Sequence, residues 1–418
     1  MKNYWAIVVL LLASISASAA IQPFYNYDDQ GEYYCGFKNE AGKIIIADNY
    51  IMCGELSEGL AYAVMSRGDN LYQGFFNAQG KLVIPFNYPI QWESGSWFKG
   101  WDPRNFHEGL ATVFQVQPDA DFGGYYGYID KNQNLVIPYK YDIANNFHEG
   151  LAVVGQHEKS RREDDLFGVI NKSGKLIVPI AYRVILDYQD GLALYITDDE
   201  SYEIGYFDTQ GRSKIKGRWA MARSFVEGRA FVLESLDNFG TGKWGVIDKN
   251  GNYVVAPKYT DIKSYSEGLA AVMIGEYEVG KWGYIDTHGK RVIDFNFADV
   301  RSFKNGLAAV AVKKGKKLKW GVIDKNGKYV ITPQFDEAFI NLGDKESWMK
   351  LNNDETLSEL HFGYHINGKL YFYDYVNATH PESSAIIRYE FNNKGKSLSQ
   401  KRFSDWKSIV NDFGLSRQ

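Results

Sequence analysis

The octapeptide WGVIDKNG occupies Trp244 to Gly251 and returns unchanged from Trp320 to Gly327, with WGYIDTHG at Trp282 to Gly289 midway between them. A chain that repeats itself at a step of 38 residues has to be built from copies of one small unit. Weaker copies carry the register along most of the sequence, and their glycines are Gly36, Gly74, Gly127, Gly168, Gly205, Gly245, Gly283 and Gly321. A second marker follows in the first seven copies: SEGLAYAV at Ser57, HEGLATV at His107, HEGLAVV at His148, QDGLALY at Gln189, VEGRAFV at Val226, SEGLAAV at Ser266 and KNGLAAV at Lys304.

Each piece has a local reason. In I-D-K-N-G the Asp can accept hydrogen bonds from its own turn, and the Gly can take the positive φ of a short hairpin loop. The stretch that follows (YVVAP, KLVIP, KLIVP, YVITP) is β-branched and ends in Pro, which lacks a ladder N–H and is expected to close the strand. Copies one, five and seven lack this Pro. Its variable distance from the turn, Gly80 to Pro85 against Gly251 to Pro257, points to a bulge. E-G-L-A reads as a second turn leading into a short strand. One unit is therefore three or four antiparallel strands, and about 40 residues with so few apolar side chains cannot stand alone. Neighbouring units must cover one another. The indoles of Trp244, Trp282 and Trp320 are expected as the plates between units, with Gly245, Gly283 and Gly321 allowing close backbone approach.

The aromatic-Gly-(V/Y)-I-D-K-x-G-K core with its F-x-E-G-L-A-x-V tail resembles the WG-repeat (KWG-type) family of bacterial proteins, from about Gly36 to Phe339. The resemblance implies tandem β units. The family has no agreed activity and offers no catalytic or binding residues to carry over. The expected fold is all-β, with tandem three- to four-stranded antiparallel units in an open twisted array or a β-propeller-like ring, and a short C-terminal helix cap.

The expected organisation is a signal peptide over 1–19, about eight units over 20–341, and degenerate hairpins with a cap over 342–418. Met1 to Ala20 has an early Lys, an apolar run and A-x-A spacing at Ala17 and Ala19, the pattern of a cleaved secretory signal. Export would place Cys35 and Cys53 in an oxidising compartment, where the pair is expected as a disulfide, two buried free thiols being the alternative. Near the C-terminus, Ser404 is expected to cap a short helix with Trp406, Ile409, Val410 and Phe413 on one face.

A formal net charge of −4 argues against a nucleic-acid binder, and no segment after the signal is long and apolar enough to insert in a membrane. The lysines of KKGKKLK, Lys313 to Lys319, read as a solvated hairpin tip, with an anionic docking patch as the alternative. There is no nucleophile elbow, phosphate loop or dinucleotide turn, and no cofactor is expected. His361 and His365 fall in a hairpin pattern rather than a helical metal pair. Carboxylates in the longer loops, among them Asp121, Glu163, Asp164, Asp165, Asp198, Asp199 and Glu200, show no pairing in the sequence.

The segment from Tyr88 to Phe106 lies outside the strand pattern and holds Trp92, Trp97 and Trp101 beside Glu93, Asp102 and Arg104. These six form the candidate recognition loop for a sugar or a partner side chain, with a structural plug as its alternative. The functional expectation is an exported, non-enzymatic repeat scaffold that binds a protein or glycan partner. The alternative is a carbohydrate-active enzyme on a propeller-like fold, which would need a pocket with two carboxylates about 5–10 Å apart.

Overall fold

The computed structural model describes residues 20–27, 33–39, 41–68, 70–90, 105–117, 123–157, 165–236, 241–277, 279–338, 365–366, 368–376, 385–405, 408–409 and 412. Two compact units divide the chain, Met1–Asn87 and Tyr88–Gln418. Antiparallel strands build both. The expected C-terminal helix cap is not seen. Of its apolar face only Ile409 is described, and it is fully buried, while Trp406, Val410 and Phe413 lie outside the described residues. A further sheet precedes this segment.

In the larger unit the repeat is a four-stranded meander. Asp261–Ile262, Leu269–Ile274, Lys281–Asp286 and Arg291–Phe297 pair in chain order, and the sheets over 221–259 and 299–335 have the same plan. One residue, Thr260, separates the fourth strand of one sheet, Tyr253–Tyr259, from the first of the next. In Leu176–Ile185 that joint is absent, and a single strand pairs with 165–171 and then with 192–197, fusing two meanders into one seven-stranded sheet. Successive units are thus linked by nearly continuous strands. Strands two and three are almost wholly buried, whereas the fourth alternates, as an edge strand with one wet face should.

The prolines correct the expectation drawn from the sequence. Pro85, Pro138, Pro179, Pro257 and Pro333 do not end the fourth strand but sit inside it. The expected bulge explains why they can. Trp244 pairs with Tyr259 and Val246 with Val255, so two residues of the third strand oppose four of the fourth. The extra residues need no ladder N–H, and an edge strand tolerates Pro. The same bulge explains the glycine beside the tryptophan. A Cβ on Gly283 would lie 2.6 Å from the Ile293 carbonyl oxygen, and one on Gly321 would lie 2.4 Å from that of Ile331. The close approach is to the unit's own fourth strand, not to the neighbouring unit.

The neighbouring unit meets the indole. Trp282 is buried in a cluster with Phe297 of its own sheet and Val300, Phe303, Val310 and Ile323 of the next. Trp244 is buried against Ala270, Val272 and Ile285 of the following sheet, and Trp320 against Leu370, Phe372 and Phe391.

The last sheet repeats the plan in decayed form. Its first strand is the two-residue His365–Ile366, and Glu337 adds an isolated bridge by exchanging both backbone hydrogen bonds with Tyr373. Lys369–Tyr375, Ile386–Asn392 and Ser397–Phe403 follow as strands two to four. Within the smaller unit, Gln22–Tyr27, Tyr33–Lys38 and Ile44–Tyr50 form one sheet, and the next runs from Met52–Cys53 through Leu60–Arg67 and Asn70–Asn77 to Leu82–Ile90. Cys35 and Cys53 join the two as a disulfide, buried among Phe37, Ala61, Ala63 and Phe76.

Candidate functional site

The proposed recognition residues Trp92, Glu93, Trp97, Trp101, Asp102 and Arg104 lie outside the described residues, as do His361, Asp121, Glu163 and Asp164. Of the remaining carboxylates Glu200 is exposed, and the other three have local partners. Asp165 contacts His157, Asp198 faces Arg183 at 3.8 Å, and Asp199 accepts from Thr197 and Ser201. The lysine-rich hairpin does turn at Gly315, with φ 64°. Two of its lysines are nevertheless engaged, Lys314 with the Pro333 carbonyl at 2.8 Å and Lys319 with Asp336 at 2.7 Å. Among the described residues no group of three or more His, Cys, Asp or Glu could hold a metal ion.

The organised polar chemistry lies at the E-G turns, where the sequence alone suggested only chain reversal. Ser266 and Leu269 exchange both backbone bonds around Glu267 and Gly268, whose φ values are 54° and 86°. Positive φ at both central residues defines a type I′ hairpin turn, which favours Asn and Gly. Here six of seven turns place an acid first, Glu58, Glu108, Glu149, Asp190, Glu227 and Glu267, with Asn305 as the seventh. A β-turn residue held left-handed at some cost should be doing something with its side chain.

It is. Each of these carboxylates from Glu108 onward accepts the glycine N–H of the following unit's turn. Glu108 takes Gly150, Glu149 takes Gly191, Glu227 takes Gly268 and Glu267 takes Gly306, each at 2.8 Å, and Asp190 takes Gly228. Five links run in register from Glu108 to Gly306. Lysines from the D-K-N-G hairpin of the following unit reinforce alternate links: Lys172 on Glu108 at 3.0 Å, Lys249 on Asp190 at 2.7 Å and Lys325 on Glu267 at 3.2 Å. Partial burial would raise the Glu108 and Glu267 carboxyls, but the lysine and backbone N–H partners outweigh it and hold both below the usual glutamate range.

A second polar cluster sits where the last regular unit meets the C-terminal sheet. Lys319 bridges Asp336 at 2.7 Å and Asp374 at 4.0 Å, and Asp336 accepts the N–H of Tyr375 while its own N–H donates to Asp374. Glu337, half-buried beside Asp336, has its carboxyl pushed up to about 7 by desolvation and that neighbouring charge.

A family model described as WG containing repeat matches residues 126–159, 167–199, 204–234, 244–277, 282–317 and 320–341. The chain belongs to the WG-repeat family. The registers at Gly36 and Gly74 lie outside the matched WG repeats, yet they fold as the same kind of meander. No curated protein matches the chain. Among solved structures, it is similar to a eukaryotic initiation factor at 12% identity and a TM-score of 0.48, covering 75% of this chain and 88% of that one. It is also similar to a puromycin hydrolase (12% identity, TM-score 0.29, 67% of this chain and 53% of that one) and to prolyl oligopeptidase B from Galerina marginata (12%, 0.35, 74% and 57%). The WG chain spans little more than half the length of those two.

The six matched WG units alternate in type. The residue after the register glycine reads Tyr128, Val169, Tyr206, Val246, Tyr284, Val322, and the aromatic before the next E-G turn reads Phe147, Tyr188, Phe225, Tyr265, Phe303. Where the first is Tyr, its ring packs on the Phe of the following WG unit with centroids 4.8–5.0 Å apart. Its hydroxyl donates to the carbonyl of Asn145, Arg223 or Arg301, each at 2.7 Å. Where the first is Val, the Tyr opposite donates instead to the hairpin Asp carbonyl of its own WG unit, Asp208 or Asp286. One hydroxyl per joint is kept, and its origin switches sides. A hairpin lysine is present in all three Val-type units, at Lys172, Lys249 and Lys325, and also in the first Tyr-type unit at Lys131, with Thr209 and Thr287 in the other two.

Proposed function

We propose that this WG-repeat chain is a non-enzymatic scaffold, exported from the cytoplasm, whose outer surface engages a protein or glycan partner. One observation carries the reading. The recurrent side chains that look chemical in the sequence, the acids, lysines, tyrosines and tryptophans, are engaged in joining one unit to the next. What these units leave outward is the start of the fourth strand, where Leu135, Leu176, Tyr253 and Tyr329 are exposed in sequence-equivalent places, with Ser213 and Arg291 at the same place in the other two. A surface that repeats once per unit suits an extended partner. Export is supported by the disulfide between Cys35 and Cys53 and by the signal-like start of the sequence. The Trp92 to Arg104 segment remains the first candidate for specific contacts.

The deciding experiment is recovery of a partner from medium or periplasm with the mature chain as bait. Replacing Trp92, Trp97 and Trp101 by Ala should abolish capture with little change in melting temperature. A large drop in melting temperature would make the segment a plug instead.

The second reading, a carbohydrate-active enzyme, has one observation in its favour, the raised Glu337 carboxyl beside Asp336. Hydrolysis of a glycan panel that disappears in Glu337→Gln would establish it over the scaffold.

A further inference from the structure

The loops that join the second and third strands lie at the end of each meander opposite the E-G turns and the D-K-N-G hairpins. The carboxylate–glycine links leave them untouched. Yet among the described residues, four of the five large hydrophobics with the greatest exposure stand there: Val279 at 65%, Tyr277 at 63%, Val116 at 59% and Tyr202 at 53%. Leu236 and Leu318 are exposed at the same end. Apolar side chains gathered on one face among polar ones mark a surface that meets another molecule. Charge on these loops is sorted by sign. Asp199, Glu200, Glu234 and Glu276 are exposed on the loops of three successive units. The next loop is the lysine hairpin, whose strands Leu307–Lys314 and Lys317–Asp324 run 8 residues each against 6 in the preceding unit, so it reaches further out. Lys313, Lys314, Lys316 and Lys317 are exposed on it, and Lys314 pairs directly opposite Lys317. Like charges opposed across a hairpin destabilise it, and an anionic neighbour offsets that cost.

We infer that this face binds a second copy of the chain about a two-fold axis through the loop that holds Tyr277 and Val279. Facing loops then meet in reverse order. The lysine hairpin of each copy lies over Glu234 and Leu236 of the other, and Tyr277 and Val279 meet their own counterparts near the axis. The presence of both signs on one face decides the occupant. A polyanion or an anionic membrane drawn to the lysines would meet Asp199, Glu200, Glu234 and Glu276 on the neighbouring loops, and like charges brought together suppress such a partner. An identical face turned end for end presents acid to lysine at both ends of the contact. The surface stands on exposure and charge and does not depend on the scaffold reading.

Sedimentation velocity of the mature chain reads the association. A dimer with a dissociation constant on the order of 10 µM is expected in about 20 mM NaCl, weakening about tenfold in about 500 mM NaCl, where exposed charges are screened. Tyr277→Ser/Val279→Ser and Lys313→Glu/Lys316→Glu should each weaken it about tenfold or more. Both should keep the melting temperature of the monomer, because all four side chains are exposed. Glu234→Lys should weaken association by itself, and added to the lysine variant it should restore it by exchanging the two signs. A chain that stays monomeric at about 200 µM in low salt, association that neither double variant alters, or a lysine variant that Glu234→Lys fails to rescue, overturns the proposal. So does sedimentation of a monomer with phosphatidylglycerol vesicles, which would assign the face to a membrane.

Discussion

The hydroxyl of Tyr284 donates to the carbonyl of Arg301 across 2.7 Å, from the third strand of one WG unit to the loop that opens the next. The ring beneath that hydroxyl packs edge-on against Phe303, centroids 4.9 Å apart. One side chain therefore joins two units by both dispersion and a hydrogen bond. At the flanking joint Val246 and Tyr265 share the same burial with the hydroxyl on the other partner.

The joint can be inverted in the laboratory. Tyr284→Val alone should cost about 3 kcal/mol by leaving a cavity and an unmet carbonyl. Phe303→Tyr alone should cost about 1–3 kcal/mol by overpacking. Together they recreate the Val–Tyr joint, and the pair should recover at least about 1 kcal/mol relative to the sum. Urea denaturation of all four proteins measures this, and strict additivity would mean the alternation carries no packing constraint.

Gly283→Ala places a methyl against the Ile293 carbonyl oxygen, where nothing flexible can yield. A loss of about 3 kcal/mol or more is expected from displacing the bulge. Gly306, with φ 78° and open space around its Cβ, should lose only about 1 kcal/mol on the same change. The ratio of the two losses, read from chemical melts, tests whether the register glycine is needed for space rather than for backbone freedom.

Acid should loosen the array in a defined order. The Glu108 and Glu267 carboxyls are depressed below 4.5 by their lysine and N–H partners, against the opposing pull of burial. The stability they confer is present above the unfolded glutamate value and disappears as pH falls through the lower folded values. Melting temperature should accordingly fall below about pH 4.5, and the fall should be shallower in a Glu108→Gln/Glu267→Gln double variant. An equally steep fall in that variant would place the acid-labile groups elsewhere.

Reduction bears on the smaller unit. The Cys35–Cys53 bridge closes a loop of separation 18, and its removal by Cys35→Ser/Cys53→Ser should cost about 3 kcal/mol in the chain-entropy model. Hydrogen exchange should quicken in 33–67, with 221–335 unaffected. Uniform quickening along the chain would show that the bridge steadies more than its own sheets.

Much of this was legible beforehand because each repeat advertises its own turns: D-K-N-G and E-G mark the two hairpins, and the β-branched run between them marks the fourth strand. The proline was misjudged because Pro257 breaks a ladder only where a ladder N–H is required, and the bulge between Val246 and Trp244 removes that requirement. The partner of Glu267 was invisible for a different reason, since Gly306 lies a full unit away and no local pattern records it. A clue was nonetheless present. Acids recur at a left-handed turn position that Asn or Gly would fill with less strain, which signals that the carboxylate itself is in use. The C-terminal helix was inferred from the spacing of Ile409 and its apolar neighbours Trp406, Val410 and Phe413, and those three lie outside the described residues.

The alternation of Tyr and Val joints bears on how such a chain can be inherited. Tyr128, Tyr206 and Tyr284 are spaced 206 − 128 = 78 and 284 − 206 = 78 residues apart. Deleting a single copy would set tyrosine against tyrosine or valine against phenylalanine, one joint overfull and the other hollow. Deleting two restores the match, so genomic slippage that preserves a folded product moves through this gene by doublets, and related chains should differ in length by even numbers of copies within this stretch.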